Sequence, residues 1–572
     1  MKFFHVYNER SFEGLVKNGF LNEDSGFKIQ HAFCVPDELR FNRFAAKGTR
    51  LHSMLKEGNY PFYVDRIAGG VTYYKYDFDR SLIEEYNDML GDWFLGFQLH
   101  ESASNRFGDW ALILERMNGS KGPYDLETLR ERSWSKTAVM RDGTVLQNFS
   151  HGTPEFYSRM TFPETHTNFH REIEEMFKMR LNETDGHILP CDSYYQYTNM
   201  QNKLGMNTFM PEIGWQIPST RVQLALARGT AKAYGKTWGA YYETWNQQAD
   251  GQYTMPCYNS CEENEWYLTQ DTHPDDFTTY GHNGGSSRLL QKRLYYHALM
   301  SGADYFAEEW GLNCSYTDMN TFELSPYGIA KKDFIEHART LRGIKLVTPF
   351  AIVLPSYYEC IEIRRFDDIG AHRSSYLGFP IDENDRERIG HVEDVLKLIY
   401  MLNGKEYGNE SHIITNSRFG DLFDIVYEDT PDDALAKYEY LIDTTPDSSI
   451  SKRLGDRFRV LESKDIYSLE ARLHALEKEI LPLTADKLCW LLSTDEKGKR
   501  YFSVFNNEGN HRSLKQGDVI DRNADEVVTV TLREVGELSV IKASSEEIKV
   551  TRLDDKTYSV YLPATEFAVF GY

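Results

Sequence analysis

The 572-residue sequence contains no apolar run of the ~18 residues that a membrane-spanning helix needs. Positive charge is scarce: 64 Lys and Arg stand against 87 Asp and Glu, a net charge of −23. That balance argues against nucleic acid or an anionic membrane as the main partner. Cysteine is sparse too. Seven residues, scattered and odd in number, do not make a disulfide framework. Cys257 and Cys261 in CYNSC form the one close pair, with no second Cys or His pair spaced to complete a zinc site. GxGxxG, a P-loop and internal repeats are missing, so no nucleotide, other cofactor or metal is expected. The start, MKFFHVYNERSFEG, turns polar too soon for the apolar core of a signal peptide. Together with the few cysteines this predicts a cytoplasmic protein.

Aromatic residues, by contrast, are abundant, with 37 Tyr, 33 Phe and 9 Trp. They suit a large core, and they equally suit a cleft for sugars, whose apolar C–H faces stack on rings. The length calls for more than one core. Through residues 1–344 short apolar runs alternate with helical stretches, the pattern of parallel βα units. The candidate strands are KFFHVYN (Lys2–Asn8), FKIQHAF (Phe27–Phe33), PFYVDRIAGG (Pro61–Gly70) and the run from Trp93 to Glu101. HILPCDSYY (His187–Tyr195), MNTFMPEIGW (Met206–Trp215), KTWGAYYETW (Lys236–Trp245) and ADYFAEEWG (Ala303–Gly311) follow. Eight such units make a TIM (β/α)8 barrel, with an insertion over about 102–185 after the fourth strand.

The texture then changes. TPFAIVLPS, FDIVYED and YEYLIDT read as buried parallel strands, with the helical stretch VEDVLKLIYMLNG among them. Residues 345–484 are therefore expected to form a Rossmann-like (flavodoxin-like) α/β domain. Residues 485–572 carry LCWLLST, RYFSVFNN, EVVTVTLRE, LSVIKA and YSVYLP, the strands of a β-sandwich.

Barrel chemistry sits at the carboxyl ends of the strands. Those ends carry Asp65 and Arg66, His100 and Glu101, Asp192, Glu212, Glu243, and Glu308 with Glu309; Trp215, Trp245 and Trp310 each follow a glutamate closely. Any one of these acids reads equally well as a solvated cap or a structural ion pair. Four glutamate-bearing strand ends together suit glycoside hydrolysis, which needs one carboxyl group to protonate the leaving oxygen and another to attack the sugar or activate water. An inactive carbohydrate-binding or assembly protein on the same scaffold is the alternative.

The segment GFQLHE (Gly96–Glu101) resembles the fourth-strand motif Gly-Trp-Gln-(Val/Ile)-Asp-Asn-Glu of the family 42 β-galactosidases, clan A glycoside hydrolases. KTWGAYYETW resembles their seventh strand, and ALMSGADYFAEEWG their eighth. The resemblance implies a retaining exo-β-glycosidase with Glu101 as acid/base and Glu243 as nucleophile. It also implies an oligosaccharide substrate and a homo-oligomer, dimer or trimer, assembled through the middle domain. Arg66, His100, Asp192, Glu212, Trp245, Glu308, Glu309 and Trp310 are the candidate substrate contacts. The motif here is one residue shorter, and His100 stands where an asparagine precedes the acid/base in the family. A miscount of strands would instead make Glu212 and Glu309 the working pair.

Overall fold

The alternating apolar runs of the first 344 residues form one eight-stranded parallel sheet in a computed structural model of the chain. The model describes all residues except 8, 30–46, 65–80, 92, 101–136, 140–144, 148–165, 194–196, 215–219, 248–252, 255, 257–282, 310–313, 319, 361–374, 377–378, 381–382, 402–409 and 514–515. The strands are β1 (Lys2–Tyr7), β2 (Ser25–Ile29), β3 (Phe62–Val64), β4 (Phe94–His100), β5 (Ile188–Cys191), β6 (Glu212–Gly214), β7 (Gly239–Glu243) and β8 (Tyr305–Glu308). Each lies within or against its expected run and pairs with its neighbours in chain order, β8 returning to β1. The seam between β5 and β6 is joined by backbone bonds from Met210 N to Pro190 O (3.1 Å) and from Glu212 N to Asp192 O (3.2 Å). The sheet is a nearly closed TIM-like barrel.

Strand periodicity sorts the side chains between two environments. Phe4, Tyr63, Leu189, Cys191, Met210, Tyr241 and Ala307 form a cluster inside the barrel. Their sequence neighbours Phe3, Phe62, Ile188, Tyr242 and Phe306 belong to the outer core beneath the helices. In β4 the alternation is reset. Phe94 and Phe97, three residues apart, both face the outer core, because two β3 residues, Phe62 and Val64, span the three-residue step. The extra residue is accommodated around Gly96, whose φ of +128° suits glycine and where a Cβ would lie 2.9 Å from His187 O. The bulge thereby gives Gln98 and His100 the inward parity.

Three helices position groups at the barrel mouth or join the barrel to the rest of the chain: α1 (Thr220–Tyr234), α2 (Arg288–Met300) and α3 (Pro326–Ala338). Helix α2 starts on an N-cap, Ser287, whose hydroxyl accepts from Leu290 N, and α3 starts on Ser325 with proline in its first turn. Beyond the barrel, strands Phe423–Tyr427, Phe350–Leu354, Tyr440–Asp443 and Val460–Glu462 form a four-stranded parallel sheet in that order. Its first strand is an edge, and α1 covers it. The approach is close enough that a Cβ on Gly229 would stand 2.2 Å from Ile425 O.

Two larger antiparallel sheets and the hairpin of Asn510–Ser513 with Gly517–Ile520 complete the described chain. One orders strands 345–346, 489–494, 500–505, 567–571 and 539–543; the other orders 483–485, 526–532, 557–562 and 549–552. Lys345 and Leu346 pair with Thr494 and Ser493, so the segment expected to open the middle domain is an edge strand of the last sheet. Glu410 ties the parts together: it accepts from Ser287 N and Oγ at the start of α2 and from Asn510 Nδ2. A carboxylate at a helix N-terminus also meets the favourable end of the helix dipole.

Candidate active site at the barrel mouth

Inward parity at the carboxyl ends of β4 to β8 brings His100, Cys191, Glu212, Tyr241, Glu243 and Glu309 to the mouth of the barrel, with Tyr241 in register with Glu212 and Glu243 one inward position further along β7. His100 and Cys191 are register partners on adjacent strands, and Glu243 pairs with Gly214 at the end of β6. His100, Glu212 and Glu243 are almost wholly buried. His100 stands between two of the acids. Its Nδ1 lies 3.2 Å from Glu212 Oε1 and its Nε2 3.6 Å from Glu309 Oε1, while its ring meets the Tyr241 ring edge-on at 5.5 Å.

Each of these carboxylates is held on its other oxygen. Ser193 Oγ donates to Glu212 Oε2 (2.6 Å), and the indole Nε1 of Trp245 donates to Glu309 Oε2 (3.0 Å). From α1, Gln223 Nε2 fixes the carbonyls of Ser193 (2.9 Å) and Glu212 (3.2 Å). Lys28 enters from β2, donating to the Tyr241 hydroxyl at 2.9 Å and to the carbonyls of Glu308 (3.1 Å) and Glu309 (2.8 Å). Its ammonium lies 4.9 Å from the Tyr241 ring centroid, within cation–π range. Preorganised charges in a buried site act more strongly on a developing cation than they would in water.

The structure separates the Glu308–Glu309 doublet. Expected as a substrate contact, Glu308 has outward parity and turns to the helices, where it accepts from the hydroxyls of Tyr295 and Tyr327 and from Lys331 Nζ (2.8 Å). Glu309, one residue on, faces the barrel. Tyr242 likewise points outward, its hydroxyl meeting Ser286, so Tyr241 is the barrel-facing member of that pair. Trp245 is buried and braces Glu309. Asp192 is buried, and its carbonyl closes the barrel seam. Glu101, Arg66 and Trp310 lie outside the described residues.

Sequence reasoning missed Lys28, Cys191, Ser193 and Gln223. The signal for Lys28 was a lysine amid an apolar strand, FKIQ, at an inward position. Cys191 sits at the same parity in HILPC. Gln223 carries no signal, because only the packing of α1 on the barrel shows which of its polar residues meets the strand ends.

No family model matches the chain, and no curated protein matches it. Among solved structures, the chain is similar to alpha-L-fucosidase isoenzyme 2 from Paenibacillus thiaminolyticus at 10% identity, covering 99% of this chain and 96% of that one with a TM-score of 0.45. It is also similar to a beta-galactosidase from the Antarctic haloarchaeon Halorubrum lacusprofundi, at 9% identity over 100% of this chain and 99% of that one, with a TM-score of 0.44.

Proposed function

We propose that this chain is a retaining, exo-acting β-glycosidase of β-galactosidase-like type that cleaves oligosaccharides with two glutamates. The observation that carries the reading is Glu243: a fully buried carboxylate at the carboxyl end of β7, on the barrel-facing parity, on the strand between those that lead to Glu212 and Glu309. Glu243 attacks the anomeric carbon as the bond to the leaving oxygen breaks, and Glu101 protonates that oxygen. Water, deprotonated by Glu101, then displaces Glu243 from the glycosyl ester. The developing oxocarbenium charge lies among Glu212, Glu309 and Glu243, which stabilise it electrostatically.

A Glu212–Glu309 working pair is less well supported, because the His100 ring fills the space between those carboxylates. In the same reading, the parallel sheet is the core of a Rossmann-like domain through which the chain self-associates, and the two antiparallel sheets form a sandwich. No helix among the described residues is long and apolar enough to cross a membrane. A panel of aryl α- and β-glycosides, with the first-formed sugar anomer read by NMR, tests the proposal. It predicts cleavage of a β-glycoside with release of the β-anomer. Release of the α-anomer contradicts retention, and no turnover of any glycoside leaves the inactive binding scaffold in its place.

A further inference from the structure

Three consecutive barrel strands present His100, Cys191 and Glu212 at the same level, and their potential donor atoms all lie within 4.8 Å of one another. His100 and Cys191 are direct register partners, and the backbone of Glu212 is hydrogen-bonded to the residue that follows Cys191. We propose that these three side chains bind one divalent transition-metal ion, zinc being the best match, and leave a fourth position for water or a substrate oxygen.

The donor set points to this class of ion. An imidazole nitrogen, a thiolate and a carboxylate together suit a borderline-soft cation rather than calcium or magnesium, which take oxygen ligands. Donors bonded to one zinc at about 2.0–2.3 Å stand roughly 3.3–3.8 Å apart in a tetrahedron, so spacings that lie within 4.8 Å need to close by no more than about 1–1.5 Å. The His100–Glu212 pair, at 3.2 Å, is already that close.

The surroundings match a metal site as well. A ligating histidine usually turns its second ring nitrogen to a carboxylate, and a ligating carboxylate is itself hydrogen-bonded. His100 turns Nε2 to Glu309, which Trp245 braces, and Ser193 holds the second oxygen of Glu212. Cys191 is in no disulfide, and its proton leaves to solvent as the metal binds.

A second trio has the same ligand types and spacing, His297, Asp421 and Cys489, but Arg221 lies 2.6 Å from Asp421 and supplies the positive charge there. Burial pushes the Cys489 thiol up to about 12. The barrel-mouth site does not depend on the glycosidase reading, since a chain that hydrolyses no glycoside would still bind the ion. Ligation would, however, draw the charge of Glu212 to the ion and leave stabilisation of the oxocarbenium charge to Glu309 and Glu243.

The test is cobalt(II) titration of the full-length, chelator-treated protein, followed by the thiolate-to-cobalt charge-transfer band and by displacement with zinc. One equivalent should give the band. It should vanish in Cys191→Ser and persist in Cys489→Ser and in the Cys257→Ser/Cys261→Ser double variant. Should Cys191→Ser not fold, Glu212→Gln, which keeps the side-chain size, should weaken zinc binding by at least the roughly 10–100-fold that losing an outer-shell partner costs. Absence of the band in the wild type, its survival in Cys191→Ser, or unchanged zinc affinity in Glu212→Gln overturns the assignment.

Discussion

The seam between α1 and the strand Phe423–Tyr427 and the mouth of the barrel both bury carboxylates, with different partners. At the seam, Arg221 Nε donates to Asp421 Oδ1 (2.7 Å) and His297 Nε2 lies 2.6 Å from Oδ2. Arg228 Nε donates to Asp424 Oδ1 (2.6 Å), with Lys232, Thr348 and Tyr438 on Oδ2. Burial raises the Asp421 carboxyl, but the Arg221 guanidinium and His297 outweigh it and hold the group far below the ordinary range. Asp424 is also lowered, its burial outweighed by Arg228 and Lys232. At the mouth, Glu212 and Glu309 meet an imidazole, a hydroxyl and an indole. A guanidinium stays charged at every working pH, so it locks its acid. The first arrangement joins two parts of the chain, and the second is suited to chemistry.

The largest expected effect lies at the seam. Arg221→Ala leaves Asp421 buried without its guanidinium and should cost about 3–5 kcal/mol in denaturant unfolding, with kcat/KM of the folded fraction unchanged. Because a lowered carboxyl stabilises the fold above its unfolded pKa and loses that contribution progressively as pH falls from there through its folded value, the acid-induced loss at the seam should extend well below ordinary carboxylate titration. Unfolding of the wild type in step with the ordinary range, near pH 4, would show that the seam is not holding the parts together.

The glutamate doublet of β8 repeats the contrast within two residues. Glu309→Gln should lower kcat/KM about 100-fold, equivalent to roughly 2.7 kcal/mol, with little change in Tm. Glu308→Gln should leave kcat/KM of the folded fraction within a few-fold and lower stability by about 2–3 kcal/mol, since it breaks a buried pair with Lys331. Reversed outcomes would mean that the assigned parity of β8 is wrong.

One more buried acid sharpens the rule. Glu359 accepts from the amide of Asn199 (2.5 Å), with Lys203 Nζ as far as 3.9 Å away, and burial, the largest cause, raises it to about 7. Between its ordinary value and about 7 the folded state holds the extra proton, so this group's effect is to lower stability as pH rises. Glu359→Gln should therefore stabilise the protein by about 1–3 kcal/mol at pH 8 and change it little at pH 5, read by urea unfolding at both values. Equal effects at the two pH values would remove the titration of Glu359 as the cause.

How far the site is legible in the sequence depends on the same geometry. The eight barrel strands stand out as apolar runs, and the acids at their ends can be picked by eye. Periodicity of two cannot choose between Glu308 and Glu309, or between Tyr241 and Tyr242, until the register is known. In β4 the bulge at Gly96 shifts the parity, so counting along GFQLH from Phe94 gives the wrong face for His100. The strand Val460–Glu462 escapes notice because it is short and only partly buried. Phe567–Gly571, wholly buried inside its sheet, is an apolar run, FAVFG, that its place at the chain end disguises.

The central claim, that the carboxylate on β7 is the attacking group, is tested most directly by Glu243→Ala assayed against the best aryl β-glycoside with and without azide. The account predicts a loss of about 10⁴-fold or more in kcat, with azide restoring turnover and yielding a glycosyl azide of the α configuration. Near-wild-type activity without azide, or a β-glycosyl azide, would contradict it.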